Sequence, residues 1–101
     1  MAYFVLKFEP KNLSQLNTEF LTDMTVSKNS IHVRDGGSVG AEKNFLYVRV
    51  MGGDEKVAAA RQVFESKKFG TIVPKAEADK VSNAIDKEEE DAAEGMGAIF
   101  G

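Results

Sequence analysis

The chain has 101 residues, of which 43% are hydrophobic and 29% charged, so it is long enough for one globular domain but not for two. It contains no cysteine, which excludes disulfides, thiol catalysis and cysteine-based metal sites. Its net charge of −3 is uneven, with ten basic and eight acidic side chains in residues 1–74 but three and eight in residues 75–101, which predicts a solvent-exposed acidic end.

The chain opens with a predicted strand at residues 3–8, YFVLKF, because β-branched and aromatic residues surround a single lysine. Its period of two defines two faces: Phe4, Leu6 and Phe8 on one, and Tyr3, Val5 and Lys7 on the other. A helix is predicted next, with Asn12 and Gln15 in capping-box spacing and Leu13, Leu16 and Phe20 as its apolar stripe.

Two strands are predicted in the middle of the chain. Ile31 and Val33 alternate with polar residues, and residues 44–51, NFLYVRVM, give the strongest strand pattern. The loop between them, DGGSVGAEK, is interpreted as a long hairpin connection. A further short strand at residues 25–27 is possible.

A second helix is predicted from Asp54 to Lys68, with Gly70 just beyond its end, and a short strand at residues 71–73 that Pro74 terminates. The order β-α-β-β-α-β is that of the two-layer, ferredoxin-like α+β sandwich. We therefore predict this fold, or a variant of it, for residues 1–74.

A partly helical acidic extension is predicted after the domain, as a linker over residues 75–94. Ala78, Val81 and Ile85 have helical spacing and are expected to pack on the body. The later stretch, KEEEDAAE, has nothing to bury and is expected to stay solvated. Residues 95–101 form an apolar, glycine-spaced tail that is expected to be flexible.

Catalysis has little support in the sequence. His32 is the single histidine, so no two-histidine metal site is possible, and a lone strand histidine is more often structural than catalytic. The glycine-rich loop joins two strands and does not open a helix, so it does not predict a phosphate cradle. We expect no enzyme, no cofactor and no metal site.

One face of the predicted sheet combines aromatic and basic side chains: Tyr3, Lys7, His32, Arg34, Phe45, Tyr47 and Arg49. Rings among cations on a flat sheet are suited to single-stranded RNA, because bases stack on the rings and phosphates meet the charges. The alternative is that this face is covered, either by the segment after Pro74 or by a second subunit.

The end of the chain is its most specific feature. Residues 87–94, KEEEDAAE, precede GMGAIFG, and together they resemble the acidic linker and the GLGALFG-type tail of archaeal ribosomal stalk proteins. Met96 and Ile99 replace two leucines with side chains of similar size and apolarity. Residues 1–74 resemble no family specifically, since stalk proteins of this kind have a helical, dimer-forming N-terminal domain.

The resemblance implies a flexible arm that captures translation factors, with Met96, Ile99 and Phe100 as its anchors. Their i, i+3, i+4 spacing would let a short helix place them in a groove. We therefore expect a small, non-enzymatic adaptor of archaeal type. The alternatives are an RNA-binding module and a self-associating domain without a ligand, as a monomer or a homodimer.

The predicted compartment is the cytoplasm. The opening, MAYFVLKFEP, lacks the basic start, long apolar stretch and cleavage site of a signal peptide. No apolar run approaches the roughly 18 residues that a membrane helix needs, so no membrane partner is expected.

Overall fold

Four strands form one antiparallel sheet in the computed structural model, which describes the backbone of residues 2–100 and the side chains of residues 2–91. The strands are β1 (Ala2–Phe8), β2 (Ser30–Asp35), β3 (Leu46–Gly52) and β4 (Thr71–Ile72). The α-helices are α1 (Leu13–Gln15), α2 (Met24–Ser27), α3 (Asp54–Ser66) and α4 (Lys75–Phe100). The predicted α+β class is confirmed.

The strand order is β2-β3-β1-β4. β1 pairs with β3 along its whole length, from Ala2 opposite Gly52 to Phe8 opposite Leu46. β2 pairs with the other edge of β3, whereas β4 pairs with only two residues of β1. β1 and β3 are therefore the central strands, and their side chains dominate both faces of the sheet.

The main core lies between the sheet and α3. Alternate residues of the two central strands face it, as the period of two predicted: Phe4, Leu6, Phe8, Val48 and Val50. Phe64 of α3 stacks on Phe20 with ring centroids 4.4 Å apart and meets Phe4 edge-on at 5.9 Å. Each such aromatic pair adds about 0.5–1.5 kcal/mol to the burial of its apolar area.

The connection from α3 to β4 passes through a left-handed backbone conformation at Gly70. Gly70 has φ +62°, a left-handed conformation that glycine adopts without a steric cost. A Cβ at Gly70 would also lie 2.7 Å from the carbonyl oxygen of Lys7. Glycine is therefore required where the chain turns from α3 into β4.

The segment between β1 and β2 differs in detail from the prediction. The first helix is a succession of a 3₁₀ turn, Pro10–Asn12, then α1, then a π-helical turn, Leu16–Phe20, and Asn12 makes no side-chain cap. The possible strand at residues 25–27 is the helix α2. Asp23 Oδ1 accepts hydrogen bonds from the backbone N–H groups of Thr25 at 2.8 Å and Val26 at 3.3 Å, which caps that helix.

The hairpin between β2 and β3 is present, with a 3₁₀ turn over Gly36–Val39. β3 begins at Leu46, two residues later than predicted. Phe45 lies in the loop, where its carbonyl accepts from the N–H of Gly36 at 2.9 Å and its own N–H donates to Glu42. Phe45 is therefore placed by the loop and not by the strand ladder.

The second face of the sheet is covered by α4. Ala78, Val81 and Ile85 are buried there, as their helical spacing predicted. They form a second core with Val5, Tyr47, Val73 and Val39. Among the helices that the structure describes, none combines the length and apolar character needed to cross a bilayer.

Candidate functional site

The covered face presents its side chains in cross-strand rows. Val5, Arg49 and His32 are directly opposite one another on β1, β3 and β2, and so are Lys7, Tyr47 and Arg34. Directly paired residues of an antiparallel sheet point to the same side. The strand ladder thus gathers the predicted basic and aromatic residues on one surface, with the exception of Phe45, which the preceding loop positions.

Arg49 lies at the centre of this surface and is only 1% exposed. Its Nη1 donates to the Ser82 hydroxyl at 2.8 Å, to the Ser82 carbonyl at 3.2 Å and to Asp86 at 2.8 Å. Both partner residues belong to α4. The buried guanidinium is therefore satisfied by the helix that covers it, as a buried charge requires.

The Nε of Arg49 is an exception. It is buried and finds no hydrogen-bond partner within the part of the chain whose side chains the structure describes. Guanidinium groups carry five N–H donors in a fixed planar fork, which matches carboxylate and phosphate geometry. One donor of that fork is left over after α4 is in place.

His32 continues the row beyond Arg49. Its Nδ1 lies 3.3 Å from Arg49 Nη2, and its Nε2 lies 3.0 Å from Glu89. Since a guanidinium cannot accept a hydrogen bond, neutral His32 accepts at Nδ1 and donates from Nε2 to the carboxylate. The neighbouring Arg34 pairs with Glu88 at 3.1 Å. Two successive acids of α4 thus contact β2.

Two tyrosines complete the polar contacts with α4. The Tyr3 hydroxyl donates to Asp79, and that hydrogen bond, with partial burial, raises the pKa of Tyr3 above its usual value. The same bond, followed by the Lys75 ammonium, lowers the pKa of Asp79. The Tyr47 hydroxyl donates to Glu77 at 3.2 Å and accepts from the N–H of Glu42. Burial is the main reason why the pKa of Tyr47 is raised.

Lys7 and Phe45 lie at the end of the face that α4 leaves open. The Lys7 ammonium stands over the Phe45 ring, 4.5 Å from its centroid, and pairs with Glu42 at 3.2 Å. The hydrogen bond to Glu42 raises the pKa of Lys7. Both side chains are half-buried, so this end of the face keeps an aromatic ring and a cation at the surface.

The structure therefore supports the covered-face alternative, with the segment after Pro74 as the cover. Tyr47 and Arg49 are buried, Tyr3 and Arg34 are tied to α4, and only Lys7 and Phe45 remain at an open end. The anchors predicted in the tail, Met96, Ile99 and Phe100, have side chains outside the described residues.

Five acids and one serine complete this surface and were not predicted from the sequence. They are polar residues of α4 that point toward the sheet: Glu77, Asp79, Ser82, Asp86, Glu88 and Glu89. Four of them, at positions 79, 82, 86 and 89, recur at three- and four-residue spacing beside the apolar stripe. That polar stripe is a signal in the sequence for polar contacts between α4 and the sheet, beside the apolar ones.

The rest of the described surface offers less chemistry. Among the described residues, no group of three or more histidine, aspartate or glutamate side chains is placed to hold a metal ion. A groove with a volume of about 710 Å³ lies at the start of α4, between Tyr3, Arg61 and Pro74. Its rim cations, Arg61 and Lys75, are already paired with Glu65 and Asp79 on their own helices.

Comparisons of the chain with protein-family models, with curated proteins and with solved structures gave no match. Function must therefore be argued from the residues themselves.

Proposed function

We propose that this protein is a non-enzymatic adaptor that captures a translation factor through its C-terminal tail. The observation that carries the proposal is the anchoring of α4: the helix that leads to the GMGAIFG tail is fixed to the body by a buried arginine and an apolar stripe. While α4 is docked, a partner held by the tail is held by the whole domain.

Within the side chains that the structure describes, the contacts of α4 with the body run from Glu77 to Glu89. Ala78, Val81 and Ile85 supply the apolar contact, and Glu88 and Glu89 make the last polar contacts with the sheet among these side chains. Glu90 and Asp91, which follow, are exposed. Exposure at these two positions supports an arm that projects from the domain toward the stalk-like motif.

The chemistry of the arm follows from its composition. The acids before the tail are like charges that favour solvent exposure of this part of α4. Opposite charge on a partner then speeds the encounter. Met96, Ile99 and Phe100 would supply the apolar anchors in a groove of the partner, because their spacing places them on one side of a helical turn. A role in translation also agrees with the cytoplasmic location expected from the sequence.

We also propose that the body is a ferredoxin-like sandwich. The strand order and the antiparallel pairing of β1 with both β3 and β4 support it, because a split βαβ arrangement interleaves its strands in this way. α4 is then an addition on the second face of the sheet. The fold itself implies no activity, so the functional proposal depends on the arm.

The experiment is a binding titration of the purified full chain against a panel of purified archaeal translation factors. Phe100→Ala is expected to weaken binding to the captured factor at least tenfold, because truncation of an aromatic anchor usually costs more than about 1.4 kcal/mol. Met24→Ala is the matched control, since Met24 is a large apolar side chain that is 74% exposed and far along the chain from the tail.

A second variant tests the resemblance directly. Met96→Leu combined with Ile99→Leu converts the tail to the stalk-type motif and should bind at least as tightly as the natural chain. Unchanged affinity after deletion of residues 95–101 would contradict the proposal, as would a panel in which no factor binds the natural chain.

A further inference from the structure

We propose that the sheet face beneath α4 is a binding site for single-stranded RNA, and that α4 occupies this site as an internal competitor. The proposal is independent of the tail. It rests on the match between the donors of the sheet and the carboxylates of the helix, on the unpartnered Arg49 Nε, and on the separation of the two cores.

The donors of the face are arranged as a nucleic-acid surface requires. Arg34, Arg49 and His32 supply cations or hydrogen-bond donors, and Tyr3 and Tyr47 supply rings. Bases stack on aromatic rings of a sheet while phosphates bind neighbouring cations. The remaining cation and ring, Lys7 and Phe45, are already at the open end of the face, where a strand could first bind.

The carboxylates of α4 take the places that phosphates would occupy. Asp86 lies 2.8 Å from Arg49, Glu88 lies 3.1 Å from Arg34, and Glu89 lies 3.0 Å from His32. All three acids are half exposed or more, so water and salt reach them. The two arginine ion pairs and the hydrogen bond from His32 are therefore individually weak and can be exchanged for others.

Arg49 Nε gives a second, independent observation. It is a buried donor without a partner in the described part of the chain, although it belongs to the most buried cation of the face. An unsatisfied buried donor destabilises the state in which it is buried. A phosphate can accept from Nε and Nη2 together, which α4 with its single nearby carboxylate does not do.

The fold allows α4 to leave without unfolding the domain. Among the described side chains, the main core, built around Phe4, Phe20 and Phe64, contains no residue of α4. The buried apolar side chains that α4 contributes within this range, Ala78, Val81 and Ile85, belong to the second core. Release of α4 would thus expose the second core and leave the sheet packed against α3.

Single-stranded RNA is favoured over an acidic protein helix because of the rings. A helix needs only cations and an apolar stripe, whereas Tyr3, Tyr47 and Phe45 add aromatic surface on the two central strands and the loop before β3. Carboxylates gain little from stacking, while every nucleobase has a π-face.

The test uses the full chain and a fluorescein-labelled 12-nucleotide oligouridine, with fluorescence anisotropy at low salt. The variant Asp86→Asn, Glu88→Gln, Glu89→Gln removes the internal competitor. Its matched control is Glu19→Gln, Glu55→Gln, Glu65→Gln, which changes the net charge equally but lies away from the face. Hydrogen exchange of α4 is measured on both.

We expect the competitor variant to bind RNA at least tenfold more tightly than the natural chain, and the control to change affinity by less than about threefold. Binding should weaken as salt rises, because each phosphate contact releases counterions. Tyr47→Leu in the competitor variant should reverse most of the gain.

Three results would overturn the proposal. The first is faster exchange in α4 of the competitor variant with no gain in RNA affinity over the control. If hydrogen exchange in α4 of the competitor variant is unchanged, Ile85→Asp is used instead to release the helix. The second contradicting result is then an absence of RNA binding by Ile85→Asp. The third is an oligoglutamate peptide that binds the competitor variant as tightly as the oligouridine, which would assign the face to acidic protein segments.

Discussion

Arg49 and Asp86, 37 positions apart in the chain, are joined by a 2.8 Å hydrogen bond that links the central strand β3 to α4. The pair is unequal, because the arginine side chain is 1% exposed and the aspartate 58%. Burial of the arginine therefore depends on α4, while the aspartate stays in contact with water whether or not the pair forms.

Substitutions of Arg49 and of Asp86 should lower the free energy of unfolding by different amounts. Arg49→Ala is expected to lower the free energy of unfolding by about 2–3 kcal/mol, because it leaves a cavity and removes the apolar stem of the side chain. Arg49→Met fills much of that space and should cost less. Asp86→Asn should cost under about 1 kcal/mol, since the carboxylate is largely solvated. Urea unfolding at neutral pH measures all three, and a larger loss from Asp86→Asn than from Arg49→Ala would contradict this account.

Gly70 is expected to be intolerant of any side chain. Gly70→Ala should destabilise the protein by about 1–3 kcal/mol, because φ is +62° and the new Cβ would lie 2.7 Å from the Lys7 carbonyl. Gly53→Ser is the control: Gly53 caps α3 at φ −64°, and nothing lies within 4 Å of its added Cβ. Serine is a good N-cap, so this variant should be neutral or slightly more stable. Thermal unfolding of both proteins gives the comparison, and equal midpoints would contradict it.

The sequence was sufficient to predict the main core. Phe4, Leu6 and Phe8 alternate with polar or smaller residues, and a strand with period two has one way to bury them. Val57, Ala60 and Phe64 of α3 are buried, and their helical spacing is a signal of the same kind. These signals are local, and each depends only on residues a few positions apart.

The side-chain contacts on the second face of the sheet could not be predicted from such local signals. Arg49, His32 and Glu89 each resemble a solvated residue when taken alone, and nothing local shows that they contact one another. The β-branched residues around Val26 also favoured a strand locally. Asp23, by capping a short helix there, overrides that propensity through hydrogen bonds that a propensity scale does not contain.

Ile85 should control the attachment of α4. Ile85→Ala is expected to cost about 2–4 kcal/mol, because the side chain is fully buried between the helix and the sheet. Hydrogen exchange should rise more in α4 than in α3, since none of the described side chains of α4 belongs to the main core. Lys87→Ala, on the exposed side of the same helix, should change stability by less than about 0.5 kcal/mol. An equal rise of exchange in α3 and α4 would show that the two cores unfold together.

Tyr3 and Asp79 should give stability a dependence on pH at both extremes. The pKa of Asp79 is lowered in the folded protein by its hydrogen bond from Tyr3 and by Lys75. The folded state therefore favours the carboxylate, and this contribution is complete above the ordinary aspartate pKa of about 4 and is lost as pH falls below it. The pKa of Tyr3 is raised, mainly by the same hydrogen bond. The folded state favours the neutral phenol, so that contribution is present below about pH 10 and is lost at higher pH.

Tyr3→Phe removes the hydrogen bond that Tyr3 and Asp79 share. It should therefore weaken the pH dependence of stability at both the acid and the alkaline extreme. The measurement is the urea midpoint of the natural chain minus that of Tyr3→Phe, followed from about pH 3 to about pH 11. The difference is expected to be greatest near neutral pH and to shrink toward either extreme. Tyr47, whose pKa is raised mainly by burial, is present in both proteins, so its alkaline titration cancels in the difference. A difference that stays constant across this range would show that Tyr3 acts through packing alone and that its hydroxyl does not stabilise the ionised form of Asp79.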